Sequence, residues 1–460
     1  MNAAAVEIVR TLRQRNHQAY LVGGCVRDLL LGREPADYDV ATDATPAEVM
    51  KIFPETYAVG AQFGVVLVPA DDLCRAAVEA TTSDQPPATS HCVEVATFRC
   101  DGLYSDSRHP DEVRYTRDPK EDVQRRDFTI NGLLLDPLDN DQVLDFVGGR
   151  ADLEAGVIRT IGEPEKRFAE DKLRMLRAVR FAARFGYRIE KKTTVAIRKL
   201  AAQISLVSRE RVRDEIVKML TEGAARRAFE LLDETRLLPQ VLPEVEKMKG
   251  VEQPPQFHPE GDVWVHTLML LEPLPADCSA TLALGALLHD VGKPPTFRRA
   301  PDRIRFDNHA EVGTKMAEQI CRRLRLSNHE TEQVSALVAN HMRFAEVKRM
   351  RESTLKRFMR LPQFGEHLEM HRLDCLASHR DLSLYDFVRD KLKSTPQEQI
   401  RPAPLVTGDD LIAAGYPPGP LFKEILAAVE DAQLEGTIAS KEEGMKLVRQ
   451  QFPVAPPANT

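Results

Sequence analysis

A chain of 460 residues exceeds one ordinary domain, which predicts two to four domains of about 100–200 residues each. Hydrophobic residues at 43% and charged residues at 29% give a globular balance and exclude wholesale disorder. The formal charge of −7, read as an average, argues against a nucleic-acid partner, because phosphate contact needs clustered Lys and Arg. No apolar run reaches the roughly 18 residues that span a bilayer, and the start lacks the basic-then-apolar layout of a signal peptide. No membrane partner is expected. Seven scattered cysteines without a C-x-x-C pair predict reduced thiols and a cytoplasmic setting, not a disulfide framework.

In chain order, residues 3–15 predict a helix, followed by a strand at 19–22, the pair Gly23-Gly24, and a helix over 26–31. Further strands are expected at 38–40, 65–68 and 93–98. The stretch 71–92 turns Ser/Thr/Pro-rich and predicts a loop insertion of unassigned role; 100–122 is polar and predicts a mobile loop. From about residue 150 strand signals fade and helical periodicity dominates to the end. Prolines near 250–262 and the segment 393–404 mark breaks.

Two glycines before a helix let backbone N–H groups approach a phosphate, and the helix start favours its charge. Arg27 then adds a fixed cation in the first turns. On a strand, Asp37 and Asp39 would project to one side. Two such carboxylates repel unless a divalent cation lies between them, and Mg²⁺ with nucleotide phosphates suits the pair. Glu94 is the candidate third carboxylate. Alone, a Gly-Gly turn or a solvated Asp-x-Asp edge would be unremarkable; together within twenty residues they favour chemistry.

The run Gly23-Gly-x-Val-Arg-Asp-x-Leu-Leu-Gly32 with Asp37-x-Asp39 resembles the class II CCA-adding enzymes and bacterial poly(A) polymerases. These belong to the polymerase-β nucleotidyltransferase superfamily. Arg125-Arg-Asp-Phe-Thr-Ile-Asn-Gly132 is similar to the family's second signature, with Gly132 where Ala is usual. The segment 170–184 resembles its nucleotide-selecting helix. The resemblance implies ATP or CTP contacts at Gly24, Arg27, Arg126, Asp171, Arg174, Arg177 and Arg180, and metal at Asp37 and Asp39; the expected catalytic residues are Asp37 and Asp39, with Glu94 as the third carboxylate. It also implies in-line attack of an RNA 3′-hydroxyl on the α-phosphate of a bound nucleotide. Placed on one helix, Asp171, Arg174, Arg177 and Arg180 would form a stripe one turn apart. An Asp acceptor beside an Arg donor matches the edges of cytosine and adenine, while guanine and uracil reverse the pattern. The bland alternative is an i,i+3 ion-pair ladder on a solvated face.

Nine of the twelve histidines lie from residue 258 onward. The apolar run 282–288 abruptly presents His289-Asp290; His266 precedes it, and His309, His341 and Asp374 follow. This order resembles the HD phosphohydrolase superfamily. The resemblance implies a metal set of His266, His289, Asp290 and Asp374, a second metal at His309 and His341, and hydrolysis of phosphomonoesters or cyclic phosphates at RNA ends. The metal is a divalent ion of unassigned identity. His329, His367, His371 and His379 are expected to be packing residues.

The expected architecture is α+β, a small mixed-sheet polymerase-β-type nucleotidyltransferase head followed by an all-α neck, an HD domain and a helical tail. The expected boundaries are 1–150 for the head, 151–250 for the neck that selects nucleotides and binds RNA, 251–390 for the HD domain and 391–460 for the tail. The function implied is addition of C and A to tRNA 3′ ends from CTP and ATP; the sequence sets no oligomeric state. The segment Val59-Gly-Ala-Gln-Phe-Gly-Val-Val66 lacks the paired basic residues of poly(A) polymerases, and Asp101-Gly-x-Tyr-Ser-Asp-x-Arg108 resembles the full-length loop of enzymes that add all three nucleotides. Alternatives kept open are a poly(A) polymerase, an A-only or CC-only enzyme, and an HD phosphohydrolase whose head only binds nucleotide or RNA. The charge fits the first reading after all: residues 166–227 hold eighteen Lys/Arg against seven Asp/Glu, a local +11 that leaves −18 elsewhere. A basic neck between acidic flanks suits local grip on an RNA end.

Overall fold

A computed structural model describes residues 2–57, 64–70, 92–101, 113–254 and 261–453. The chain divides into two compact units, Met1–Glu246 and Lys247–Thr460. The expected insertion at 71–92, the core of the 100–122 loop and most of the Val59–Val66 segment lie outside the described residues.

In the first unit, Asn2 caps the helix Ala3–Gln14 by accepting from the Ala4 and Ala5 amides. Ala5, Ile8, Val9 and Leu12 recur at helical spacing and bury that helix against the sheet core. The sheet has six strands, β1 (Ala19–Val22), β2 (Asp39–Thr42), β3 (Val65–Pro69), β4 (Cys92–Thr97), β7 (Leu133–Asp136) and β8 (Gln142–Asp145), in the order β3-β4-β2-β1-β7-β8. Short strands β5 (Arg99–Asp101) and β6 (Val113–Tyr115) form a separate antiparallel pair. Within this six-stranded sheet, among the described residues, β2 and β4 are the parallel pair, in a register that sets Asp39 opposite Glu94. Val and Leu fill the buried strand positions, as a sheet covered on its core face requires. Helices Pro164–Glu170, Arg174–Phe185, Lys191–Leu200, Arg209–Thr221 and Ala225–Glu234 follow.

Several expectations need correction. The second strand begins at Asp39, so Asp37 lies in the bend before it and not on the strand. Asp171 is not helical: it ends Pro164–Glu170 in extended backbone (φ −140°, ψ 108°), and the next helix starts at Arg174. Strands also continue past residue 150. The pair β9 (Val157–Ile158) and β10 (Arg188–Ile189) is parallel, while β11 (Phe297–Arg299) and β12 (Ile304–Phe306) form a hairpin. Each has only two or three residues, too short for alternation to register. Cys92 is disulfide-bonded, against the expectation of reduced thiols throughout, whereas Cys25, Cys100, Cys278, Cys321 and Cys375 are free. Gly132 has a packing reason: a Cβ there would meet Val147 at 2.9 Å, Ile161 at 3.0 Å and Val123 at 3.1 Å.

The second unit is helical apart from that hairpin. Asp262 caps Val263–Leu271, Ser279 caps Ala280–Leu288, and a Ser327/Glu330 capping box opens Asn328–Asn340. Helices His309–Arg323 and Phe364–Ala377 complete the set that carries the histidines. The last helices, Pro420–Leu434 and Lys441–Gln451, close on their own core of Val406, Leu411, Ile425, Val429 and Val448.

Candidate functional site

Gly23 takes φ +77°, a left-handed conformation that side chains resist, and so turns β1 into the helix Gly24–Leu30. That turn forms one wall of a cavity of about 460 Å³ lined by Gly23, Gly24, Arg27, Asp39, Arg125, Arg126, Asp127, Asn131, Asp171, Arg174, Arg177, Arg180 and Phe181. All seven residues expected to contact nucleotide therefore share one cavity. Arg27 is buried, donates to Asp28 (2.8 Å) and Asn131 (2.7 Å), and lies over the Phe185 ring. Burial pulls its guanidinium down, with Asp28 opposing.

The arginine stripe is not an i,i+3 ladder. Asp171 accepts from Arg211 (2.8 Å) and the Leu173 amide (3.0 Å); Arg174 donates to Glu170 (2.7 Å) and to the Arg125 carbonyl (3.0 Å). Arg177 binds Asp127 (2.8 Å), and Arg180 binds Glu215 (2.7 Å) and Glu222 (3.2 Å). Each cation is held by a neighbouring element and aimed as a preset donor. Burial pushes the Asp127 carboxyl up, but Arg177, the Asn131 hydrogen bond and Arg174 outweigh it and bring it to about 2. Asp122 likewise holds both Arg125 (2.8 Å) and Arg126 (2.9 Å).

The carboxylates behave differently. Burial raises Asp39 to about 6, opposed by Arg126 and reinforced by Asp37. Burial raises Glu94 to about 7, with Asp39 and Asp37 adding to it. Three mutually repelling carboxylates short of positive charge have the donor chemistry that a divalent cation takes, but their ligand atoms are not gathered within 4.8 Å of one another, and of the three only Asp39 lines the cavity. Asp37 is exposed at the bend, so any cation must be reached from solvent.

In the second unit, the ligand atoms of His266, His289 and Asp374 lie within 4.8 Å of one another, as do those of Asp290, His309 and His341. All six expected residues are thus gathered, in a grouping different from the one expected: Asp290 stands between the groups. Its Oδ1 is 3.8 Å from both His309 and His341, and its Oδ2 is 3.1 Å from His289 and 3.9 Å from His266. His289, His309 and His341 each turn Nδ1 to a backbone carbonyl, of Ala286 (2.9 Å), Phe306 (2.9 Å) and Val338 (2.7 Å). A carbonyl only accepts, so Nδ1 carries the proton and Nε2 keeps its lone pair. The Nε2 atoms then face one another at 3.3 Å, His289 to His266 and His309 to His341. Burial lowers His341 to about 4 and also lowers His309, keeping both imidazoles neutral near pH 7. Asp290 Oδ2 is buried without a hydrogen bond of good geometry. Facing lone pairs around such an oxygen fit two divalent cations sharing one carboxylate.

Arg125, Asp127, Asn131 and Lys293 were not singled out from sequence. The first three sit in the second signature itself, beside Arg126, and Lys293 follows Asp290 by one helical turn. His367 and His371 are buried, as expected of packing residues, and His371 stacks on Phe344 at 4.3 Å, whereas His329 and His379 are exposed and do not pack in a core as expected.

Residues 19–159 match the Poly A polymerase head domain, 186–249 the probable RNA- and SrmB-binding site of polymerase A, and 265–374 the HD domain. The chain is 42% identical over 233 residues to the CCA-adding enzyme of Geobacillus stearothermophilus, covering 51% of this chain and 53% of that protein. It is 37% identical over 278 residues to that of Lactobacillus johnsonii, covering 60% and 65%. The alignment spans about half the length of the first of these relatives. The fold matches the crystal structure of the Bacillus stearothermophilus CCA-adding enzyme in complex with CTP at TM-score 0.70 and 27% identity, over 98% of this chain and 99% of that one. The Thermotoga maritima CCA-adding enzyme complexed with tRNA shares the fold at TM-score 0.57 and 19% identity, over 97% and 94%. No described helix is long and apolar enough to cross a membrane.

Proposed function

We propose that this chain, a member of the tRNA nucleotidyltransferase and poly(A) polymerase family that also carries an HD domain, adds C and A to tRNA 3′ ends from CTP and ATP. The observation that carries this is the single cavity joining the Gly23-Gly24 turn, Asp39 and the arginines around Asp171. The Gly24 amide and Arg27 bind the phosphates at the helix start. Arg126, held by Asp122, meets the charge on the transferring group. Asp171 accepts from the exocyclic amine of cytosine or adenine, and Arg174 donates to the ring acceptors beside it. Uracil and guanine present a carbonyl to Asp171 and are rejected by two facing acceptors. Asp37, Asp39 and Glu94 would hold Mg²⁺, which lowers the charge barrier to attack and steadies the departing pyrophosphate. The head is assigned to 1–150 and the nucleotide-selecting, RNA-binding neck to 151–250, followed by the HD domain (251–390) and a helical tail (391–460).

The test offers tRNAs ending before CCA, after C and after CC with labelled CTP or ATP. Extension that stops after CCA supports the proposal. Long A tails select a poly(A) polymerase, addition of only CC or only A selects a partial enzyme, and no incorporation refutes transfer. Asp171→Ala is expected to lose discrimination against UTP and GTP; unchanged discrimination removes the base-reading role.

A second reading rests on a separate observation, the two ligand groups joined by Asp290. The HD domain hydrolyses phosphomonoesters or cyclic phosphates at RNA ends. Phosphatase and cyclic phosphodiesterase assays with a panel of divalent metals, on wild type and Asp290→Ala, check it. Activity absent with every metal refutes it.

A further inference from the structure

The Lys293 ammonium lies 2.7 Å from Asp290 Oδ2 and donates to Gln253 Oε1 at 2.6 Å. Lys293 is buried, yet it lines a cavity of about 490 Å³ together with His309, His341 and Asp374. One N–H donor goes to Gln253 while the charge pairs with Asp290 Oδ2 without a hydrogen bond of good geometry, which leaves donor capacity for a ligand. We propose that Gln253 is a positioning residue for a phosphate-oxygen subsite in this cavity, holding the Lys293 ammonium between Asp290 and a bound phosphate. The inference rests on the hydrolase reading of the HD domain.

Gln253 is only 2% exposed. An ammonium only donates, so the amide must present Oε1 to it, and Nε2 is left without a hydrogen-bond partner among the described residues. An unpaired buried donor carries a cost that a leucine of similar size would not. The arrangement therefore makes sense for holding Lys293, not for packing. Gln253 fixes the direction of an ammonium that already pairs at 2.7 Å with Asp290 Oδ2, the oxygen that faces His289.

Charge points to the ligand. An imidazole that ligates a metal is neutral, so with two divalent cations bound Asp290, Asp374 and Lys293 leave the site at +3. A cation-loaded site beside a lysine calls for a polyvalent anion, and phosphate matches both its charge and the free donor. Beyond the histidines the wall is mixed: Ile304, Phe306, Met342 and Leu384 offer apolar surface to the organic part of an ester, and Arg303 and Arg305 add positive charge beside it. Gly292 makes the geometry possible, since a Cβ there would stand 2.1 Å from the His309 carbonyl oxygen.

The experiment titrates inorganic phosphate into the Mn²⁺-loaded full chain by calorimetry, with Mn²⁺ affinity measured separately. Gln253→Leu is expected to weaken phosphate by about 10-fold, the worth of one hydrogen bond to a charged group, while Mn²⁺ affinity changes by less than about 3-fold. Lys293→Met is expected to weaken phosphate at least as much without weakening Mn²⁺. The double variant should bind phosphate no more weakly than Lys293→Met alone, because Gln253 acts through the lysine. Unchanged phosphate affinity in Gln253→Leu, or a further loss in the double variant, overturns the proposal while leaving the hydrolase reading standing. A Mn²⁺-loaded wild type that binds no phosphate overturns both.

Discussion

Asp127→Asn keeps the shape of the side chain that joins the second signature to the arginine helix, removes its charge and turns one acceptor oxygen into a donor. Asp127 accepts from the Phe128 amide (2.8 Å), Asn131 Nδ2 (3.0 Å) and Arg177 Nε (2.9 Å). Its carboxyl falls from an ordinary 3.8 to about 2, worth about 2 kcal/mol to the folded state at neutral pH. In a unit of this size, that loss lowers the melting temperature by roughly 4–8 °C. The sign follows from a depressed acid. The stabilisation is fully present above the unfolded value and is lost as pH falls through the folded one. Calorimetric melting of wild type and variant should show the same gap at pH 8 and pH 5 in the transition that Asp127→Asn shifts. About half of the gap should be gone near pH 3. A gap below about 1 °C at pH 8, or one that changes between pH 8 and pH 5, refutes the Asp127–Arg177 anchor as the source.

Other expectations are as direct. Arg180→Met strands the buried Glu215 and is expected to cost about 3–5 kcal/mol in urea unfolding, whereas Arg180→Met with Glu215→Leu recovers most of it; a double variant no better than the single contradicts this. Gly292→Ala drives a Cβ into the His309 carbonyl and should abolish cation uptake by the His309–His341 group, read by equilibrium dialysis. Asp290→Asn should lower uptake at both groups, since its two oxygens face different histidine pairs, while His309→Ala lowers uptake at one. Equal losses in these two variants would remove the shared carboxylate.

The local features were legible because they are local. Gly23-Gly24 before an apolar helix specifies its turn by φ alone. Asp39 and Glu94 each lie in a Val-rich strand, and His289-Asp290 interrupts an apolar run that can only be buried. Asp171 shows the limit. Its spacing from Arg174 reads as helical, yet the chain breaks there because the Asp171 carboxylate bonds the Leu173 amide two residues on and is drawn to Arg211, forty residues away. No periodicity encodes a partner at that distance. The two-residue strands were invisible for a related reason, since their pairing is decided by the neighbour strand.

Sequence alone pointed to the side chains suited to chemistry here: the glycines, the head carboxylates, the arginine series and the six histidine and aspartate residues of the second unit. Tertiary structure decided how they are divided and aimed. It set Asp39 against Glu94 through the parallel pairing of β2 and β4 and tied each arginine to a carboxylate from another element. It also placed Asp290 between two histidine pairs. The reason is physical: residue type and short-range spacing fix what a group can do, while the field and partners that orient it come from segments tens of residues away, brought close only when the cores pack.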